Sequence, residues 1–243
     1  MNLDGAVAVI TGGARRLGRH MAIALAREGA DVAVNYRTSE ADARATAEMV
    51  RTEGRRAVCV QADVSKSGDV QRLLETTVAE LGRPDVLIVN ASTFHRTPIE
   101  TTCDEDWDDL IDNNLRAAFL SARAFGLSMR AGEGGVIILL ADTAGTRPWI
   151  GYTPYSVAKA GVIALTQALA RELAPSVRVN AIAPGPILFP DDYDIQSQNR
   201  EIDRTLLKRK GEPENISQAA IALIRNDYIT GALLPVDGGR TLA

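Results

Sequence analysis

The chain has 243 residues, of which 46% are hydrophobic and 24% are charged, and its net charge at pH 7 is −4. This length suits one α/β domain with a large core, and the composition is that of a globular protein. The acidic balance, with no domain-sized basic face, argues against a nucleic-acid partner. No apolar run approaches the ~20 residues that a bilayer-spanning helix needs, so no membrane partner is expected.

The sequence also argues against disulfides and metal centres. Cys59 and Cys103 are isolated, and Cys59 lies inside the apolar run AVCVQA, where we expect a small core residue. His20 and His95 lack the spacing of a ligand set. The N-terminal segment runs directly into a strand, unlike a signal peptide. Together these features predict a reducing, cytoplasmic environment.

Seven short runs rich in Val and Ile are predicted to be strands, because continuous hydrophobicity is typical of strands covered on both faces. The runs span residues 6–11, 31–36, 57–62, 85–90, 135–141, 177–183 and 231–237. Six segments of helical period separate them. This alternation predicts an α/β, single-domain, doubly wound Rossmann fold over residues 1–243, with a seven-stranded parallel sheet flanked by helices.

Residues 185–215 depart from this rhythm. This connection is long, contains prolines and acids, and has few strong apolar patterns. Connections of this kind are usually either functional lids or poorly ordered loops. We expect it to be a substrate loop.

The first predicted strand continues into VITGGARRLG, a glycine-rich turn that opens a helix. Gly12 permits a tight turn, and Gly18 permits close packing of a helix whose N-terminal amides can meet phosphate. The second strand ends in NYRTSE, so residues 37–39 stand where NAD-binding folds carry an acid. Arginine forms bidentate bonds with phosphate, whereas a carboxylate would repel it. With Arg15 in the turn, the sequence predicts NADPH rather than NADH.

Tyr155 and Lys159 are four residues apart and share one face of a predicted helix. A nearby ammonium stabilises phenolate, so the pairing predicts a tyrosine pKa lowered from about 10 towards neutrality. Such a tyrosine suits proton transfer in catalysis. A surface Tyr/Lys pair without a function is the alternative interpretation.

Motifs along the whole chain resemble the short-chain dehydrogenase/reductase family. The matching segments are TGGARRLG, ADV, VNAS, NNL, YSVAK, VNAIAPG and ITGALLPVDGG. The resemblance implies hydride transfer in a homotetramer or a dimer, with Tyr155 as proton donor, Lys159 holding the nicotinamide ribose and Asn114 holding a water of the proton relay. The predicted NADP(H)-binding residues are Gly12, Arg15, Arg16, Leu17, Gly18, Tyr36, Arg37, Thr38, Ser39, Asp63, Val64, Asn90, Ala91, Ser92, Tyr155, Lys159, Pro184 and Gly185.

Two positions depart from the general pattern of that family. Arg16 stands where the glycine motif has its middle glycine, and Asp142 stands where the catalytic serine is expected, thirteen residues before Tyr155. An ionised aspartate cannot donate to a developing alkoxide, so ordinary ketone reduction is disfavoured. A carboxylate can instead accept bonds from ring N–H groups or, when protonated, help to protonate an imine nitrogen. Thr143 is not expected to replace the serine, because adjacent strand residues face opposite sides.

Both departures are similar to the pteridine reductase branch of the family. The segment NASTFHRTP is similar to one in which an aromatic residue, here Phe94, stacks on the pterin. The resemblance also implies that Arg16 bridges the pyrophosphate and the substrate, and that Leu188 and Phe189 cap the pocket. The predicted substrate-binding residues are Arg16, Ser92, Phe94, Asp142, Tyr152, Tyr155 and Leu188.

The sequence therefore predicts an NADPH-dependent reductase that acts on a ring C=N of a pterin, with protonation through Asp142 and Tyr155. Dihydrobiopterin, dihydromonapterin and dihydrofolate are candidate substrates. Two alternatives stay open: an NADPH-dependent short-chain carbonyl reductase for a ketone, sugar or acyl thioester, and a non-catalytic dinucleotide-binding sensor. The intact Tyr155, Lys159 and Asn114 disfavour the sensor.

Overall fold

A computed structural model describes residues 1–190 and 193–243 of the chain. Seven strands pair in parallel in one sheet of order β3-β2-β1-β4-β5-β6-β7. The strands are β1 Val7–Thr11, β2 Asp31–Tyr36, β3 Ala57–Gln61, β4 Val86–Val89, β5 Gly135–Leu140, β6 Val177–Pro184 and β7 Leu233–Val236. The predicted fold is confirmed, and each predicted run coincides with an observed strand whose ends differ from it by at most two residues.

Eight α-helices lie in the described residues, in the six connections between strands. The helices are α1 Arg16–Arg27, α2 Glu40–Thr52, α3 Ser67–Glu80, α4 Asp104–Ile111, α5 Ala117–Arg130, α6 Thr153–Leu173, α7 Ile195–Asp203 and α8 Pro213–Arg225. The prediction of one helical segment per connection is wrong in two places. The connection after β4 holds α4 and α5, joined by a π-helical stretch, Asp112–Arg116, and the connection after β6 holds α7 and α8.

Helices cover both faces of the sheet, which explains the continuous apolar runs. Alternate residues of a strand point to opposite faces. On β1, Ile10 packs with Leu25 on one side of the sheet, whereas Val9 packs with Leu73 and Phe125 on the other. Two apolar cores therefore sandwich the strands. None of the helices in the described residues is long and apolar enough to cross a membrane.

The carboxyl ends of all seven strands meet at one edge of the sheet. From β1 the strand order runs outwards to β2 and β3 on one side and to β4 and its successors on the other. Ligands of open α/β sheets bind in the crevice at such a switch point. The predicted substrate loop at 185–215 begins at this edge and contains α7, while its residues 191–192 lie outside the described residues.

Candidate active site

A cavity of about 1260 Å³ runs along the carboxyl edge of the sheet. It extends from the glycine turn, past the ends of β2 to β6, to α7 and the residues after β7. Every predicted site residue lines it except Gly18 and Asn114, which are buried in its walls. The structure thus brings the sequence-predicted residues together in one crevice.

The glycine turn is packed too tightly for side chains. A Cβ on Gly18 would lie 2.2 Å from the carbonyl oxygen of Gly12, and one on Gly12, whose φ is +60°, would lie 3.0 Å from Cα of Ala91. Two amide side chains hold the turn in this position. Asn35 Oδ1 accepts from Gly12 N at 3.1 Å, and Asn90 Nδ2 donates to Gly12 O at 3.0 Å.

The N-terminus of α1 is open towards the cavity. Its N-cap residue, Arg15, makes no side-chain cap, and the first turn contains no acid. The positive end of the helix dipole is therefore available to an anion. This arrangement fits the pyrophosphate of a dinucleotide.

Arg16 connects the glycine turn to the substrate loop. Its φ is +52°, a left-handed conformation that costs a non-glycine residue roughly 1–2 kcal/mol. This geometry explains why a glycine is usual at the position. The guanidinium donates through Nη2 to the carbonyl oxygens of Leu188 and Phe189, both at 3.0 Å. The predicted bridge from Arg16 to pyrophosphate stays a prediction.

The end of the cavity where we expect the adenosine of the cofactor is lined by polar side chains that follow β2 and β3 and by Asn113 of the π-helical stretch. Arg37 Nη1 donates to Asn113 Oδ1 at 2.9 Å, and Asp63 Oδ1 accepts from Ser65 N and Oγ. Burial raises the pKa of Asp63, but the hydrogen bonds from Ser65 and the positive charges of Arg37 and Lys66 outweigh it, so the pKa is lowered. Asp63 is therefore ionised at neutral pH.

Asp142 and Tyr155 are joined by a hydrogen bond. Tyr155 OH donates to Asp142 Oδ2 at 2.9 Å, while Oδ1 accepts from Ala144 N at 2.8 Å. Asp142 thereby caps a short 3₁₀ turn, Thr143–Gly145, that follows β5. The hydroxyl of Thr143 donates to Asp142 Oδ1 at 3.3 Å. As expected, Thr143 does not take the place of a serine; it supports the carboxylate.

Lys159 lies beneath Tyr155 on α6, and both side chains are buried. Lys159 Nζ donates to the carbonyl oxygen of Leu140 at 2.9 Å and lies 5.6 Å from the centroid of the Tyr155 ring. The ammonium is thus anchored by the end of β5. It is close to the phenol without bonding to it.

The pKa of Tyr155 moves opposite to the prediction. Burial, then the charge of Asp142 and the hydrogen bond to it, raise the pKa well above its ordinary value. The predicted lowering is wrong because burial disfavours the charged phenolate most, and Asp142, which has no counterpart in a serine-containing site, adds to that effect. Burial lowers the pKa of Lys159 to about 8, although Asp142 opposes this. Burial also raises the pKa of Asp142, against hydrogen bonds and the Lys159 charge.

Asn114 lies in the π-helical stretch between α4 and α5. Its Nδ2 donates to the carbonyl oxygens of Thr93, at 3.0 Å, and Leu110, at 2.8 Å. The side chain therefore anchors the loop that carries Phe94. Within the described residues its Oδ1 is buried without a hydrogen-bond partner. The water-holding role that the resemblance implies stays a prediction.

Aromatic rings form the wall of the cavity beside Tyr155. Phe94 stacks on Tyr152, with centroids 5.0 Å apart and planes 5° apart, and meets Tyr155 edge-on at 4.9 Å. Trp149 meets both Phe94 and Tyr152 edge-on. Beyond it, the Arg240 guanidinium lies 5.9 Å from the Trp149 ring. The wall is thus apolar near Tyr155, with the Arg240–Glu201 ion pair at its far end.

Sequence reasoning missed several residues of this lining. Trp149 stands between Asp142 and Tyr155 in the sequence, and this position between two predicted site residues could have indicated that it lines the cavity. Arg240 donates to Glu201 of α7 at 2.7 Å. The two residues are 39 positions apart, so no local sequence pattern predicts this contact. The roles of Asn35 and Asn113 are likewise visible only from their hydrogen bonds in the folded structure. Among the described residues, no group of three or more His, Cys, Asp or Glu side chains is arranged to hold a metal ion.

Comparisons with known proteins agree with this geometry. The family model described as enoyl-(acyl carrier protein) reductase matches residues 12–241. A 3-oxoacyl-[acyl-carrier-protein] reductase, FabG, from Staphylococcus epidermidis is 35% identical over 238 residues, covering 96% of this chain and 97% of that protein. The chain belongs to the short-chain dehydrogenase/reductase family. It is therefore an NAD(P)-dependent oxidoreductase, and this part of the prediction is confirmed.

The names of other relatives in this family refer to different activities. Glucose 1-dehydrogenase 2 from Bacillus subtilis is 34% identical over 250 residues, covering 99% of this chain and 96% of that protein. A putative short-chain alcohol dehydrogenase from Sinorhizobium meliloti 1021 has a TM-score of 0.94 at 32% identity, with full coverage of both chains. A blue fluorescent protein from a metagenomic library, in complex with NADPH, has a TM-score of 0.91 at 33% identity and 99% coverage of each chain. None of these names refers to pterins.

Proposed function

We propose that the chain uses NADPH to reduce a ring C=N bond of a pterin. The observation that carries the proposal is the hydrogen bond from Tyr155 OH to Asp142 Oδ2. It makes a carboxyl group part of the proton path at the position where the family pattern has a serine. When bound, NADPH would supply a hydride from its nicotinamide ring.

The proton path begins at the substrate nitrogen. When the neighbouring carbon receives a hydride, that nitrogen needs a proton. A protonated Asp142 can donate it, and Tyr155, which already donates to Asp142, can replace it. Burial raises the pKa of Asp142, which favours the protonated carboxyl. Lys159, 5.6 Å from the Tyr155 ring centroid, would stabilise the resulting phenolate.

The aromatic wall supports a flat substrate. Phe94, Tyr152 and Trp149 line the cavity next to Tyr155. Stacking on a planar heterocycle contributes roughly 1 kcal/mol beyond the burial of its surface. A bicyclic pterin would use this wall more fully than a linear acyl chain. Leu188 and the rest of the 185–215 segment would cover it, in the role of a substrate loop within the single domain 1–243.

Arg37, with Arg15 in the glycine turn, supports NADPH as the reductant. Both cations line the cavity, and Arg37 follows β2, where NAD-binding folds carry an acid. Charge-assisted bonds to a 2′-phosphate would favour NADPH over NADH. The relative solved in complex with NADPH is consistent with this preference.

A second candidate function, carbonyl reduction, is favoured by the relatives. The 3-oxoacyl-[acyl-carrier-protein] reductase FabG matches 96% of this chain, and overall similarity supports this alternative better than it supports a pterin. Tyr155 and Lys159 would suit a carbonyl substrate as well. The protonation state of Asp142 decides how well the site suits a carbonyl: an ionised Asp142 cannot donate to a developing alkoxide and would repel it, whereas a protonated one could donate.

Steady-state NADPH oxidation can separate the two candidates. Dihydrobiopterin, dihydromonapterin, dihydrofolate, a β-keto ester and a 3-oxoacyl thioester would be compared with the wild type and Asp142→Ser. We expect a preference for a dihydropterin, and a loss of about 10²–10³-fold in pterin turnover in the variant. Asp227→Ser, at an exposed position after α8, is the matched control. Preference for the keto ester or thioester, improved by the serine, would establish the carbonyl reductase.

The assembly is part of the same proposal. The homotetramer implied by the family resemblance is supported by exposed apolar side chains on α4 and α5, including Trp107 and Leu127. Light scattering during size-exclusion chromatography tests it, and a monomer would contradict it. The cytoplasmic location stays a prediction.

A further inference from the structure

Arg37 and Asn113 form a side-chain bridge at the adenosine end of the cavity. Arg37 follows β2, Asn113 lies in the π-helical stretch after α4, and Nη1 of the arginine donates to Oδ1 of the asparagine at 2.9 Å. Both residues line the cavity. Because β2 and β4 flank β1 in the sheet, this bridge joins the two sides of the crevice.

Asn113 is held so that its oxygen faces Arg37. Its Nδ2 donates both to the carbonyl oxygen of Asp109, at 2.9 Å, and to the carboxylate Oδ1 of Asp109, at 2.8 Å. A carboxamide has two N–H donors. With both directed to α4, only the oxygen remains for the guanidinium. Gln61 Nε2 fixes the other end of the residue by donating to the carbonyl oxygen of Arg37 at 3.0 Å.

The bridge leaves the positive charge of Arg37 intact. A carboxamide is neutral, so it orients the guanidinium without neutralising it, whereas a carboxylate partner would compete with an anionic ligand. The nearby carboxylate of Asp63 is engaged elsewhere, with Oδ1 accepting from Ser65 and Oδ2 lying 3.7 Å from Lys66 Nζ. A guanidinium has five donors, so most remain for a ligand.

We propose that Asn113 is a positioning residue for recognition of the 2′-phosphate of NADPH. It holds one edge of the Arg37 guanidinium so that the remaining donors are oriented before the phosphate arrives. Ordering a long side chain in advance reduces the entropy lost on binding. The inference rests on the NADPH preference in the proposed function, and it does not depend on which substrate is reduced.

Calorimetric titration of the full chain with two probes, 2′,5′-ADP and 5′-ADP, tests this role. Asn113→Ala should weaken 2′,5′-ADP about tenfold, the size expected for losing one bond that orients a charged donor, and should leave 5′-ADP unchanged. Asn113→Asp should weaken 2′,5′-ADP further, because its carboxylate neutralises Arg37. In turnover assays, KM for NADPH should rise in both variants, while kcat stays the same. Gln71→Ala, an exposed carboxamide on α3, is the matched control.

Three outcomes would overturn the inference. Equal weakening of the two probes would show that Asn113 serves the structure of the pocket in general. Unchanged affinity for 2′,5′-ADP in both variants would show that the bridge plays no part in recognition. A wild type that binds the two probes equally would remove the NADPH preference itself. Failure to reduce pterins, with the probe preference intact, would instead overturn only the substrate part of the proposed function.

Discussion

The two ends of the cavity are built in different ways. At the cofactor end, the backbone of the glycine turn and the strand ends set the shape, and the amides of Asn35 and Asn90 hold it in place. At the substrate end, Phe94 stacks on Tyr152 at the start of α6, and Tyr152 OH lies 3.4 Å from Tyr193 OH of the 185–215 segment. Backbone geometry tolerates little change, whereas loop side chains can be exchanged one by one. The family can therefore keep its cofactor while its substrates vary.

Replacing the shared proton donor should have the largest effect. Tyr155→Phe removes the hydroxyl that donates to Asp142, so we expect kcat to fall about 10³-fold because no group replaces the lost proton. Dissociation constants for NADPH should stay within a factor of about two, since the ring and its packing remain. Stopped-flow hydride transfer and fluorescence titration measure the two quantities. Tyr228→Phe, at a fully exposed tyrosine, is the control, and retained turnover in Tyr155→Phe would refute the assignment.

The addition of a single methyl group should disrupt the cofactor end of the cavity. Gly18→Ala places a Cβ 2.2 Å from the carbonyl oxygen of Gly12, so the turn must shift. We expect a loss of roughly 1–3 kcal/mol in the free energy of unfolding, together with loss of NADPH binding. Gly68→Ala is the matched control, because its Cβ meets nothing within 4 Å and a helical alanine stabilises by up to ~1 kcal/mol. Urea titrations of both variants measure the difference, and equal stability would contradict the expected clash.

A single substitution at the substrate end of the cavity should have a smaller effect. Phe94→Leu removes the stacking ring while keeping an apolar side chain, so KM for a dihydropterin should rise about fivefold. KM for NADPH should not change, because the ring lies on the substrate side of Tyr155. Phe94→Tyr keeps the ring and should behave like the wild type. A rise in KM for NADPH instead would mean that the two ends of the cavity are not separable in this way.

The smallest expected effect is a shift in pH dependence. The pKa of Lys159 is lowered to about 8 by burial, and the charge of Asp142 opposes that lowering. Turnover should therefore fall as pH rises through about 8, when Lys159 loses the charge that supports the phenolate. Asp142→Asn removes the opposing charge and should move this alkaline limb to lower pH. The pH profile of kcat/KM measures the shift. If the alkaline limb does not move in the variant, the limb belongs to a group other than Lys159.

The same lysine gives a stability prediction whose sign can be checked. Between pH 8 and the ordinary lysine pKa of about 10.4, the unfolded chain holds a proton that the folded chain has lost. The free energy of unfolding contributed by Lys159 therefore rises with pH across this window. Denaturant titrations of the wild type and Lys159→Met would show it as a slope that the variant lacks.

The cofactor end was predictable and the substrate end was only partly so. The strands and the glycine turn follow from local patterns, because apolar runs and close backbone contacts restrict which residues can stand next to one another in the sequence. Phe94 and Asp142 were predicted through the family resemblance. Arg240 and Glu201 were missed because they meet only through the packing of α7 against the segment after β7. The pKa of Tyr155 was mispredicted because a helix spacing shows neither how deeply the side chain is buried nor which charge is nearer.

The placement of Trp149 makes the cavity observable by fluorescence. The chain contains two tryptophans, and the other, Trp107, is exposed on α4. In Trp107→Phe, all indole emission would come from the aromatic wall beside Tyr155. Reduced nicotinamide absorbs where tryptophan emits, so energy transfer would report cofactor binding. A pterin against the same wall would quench the emission by stacking, so one chromophore could follow the order in which the two ligands arrive.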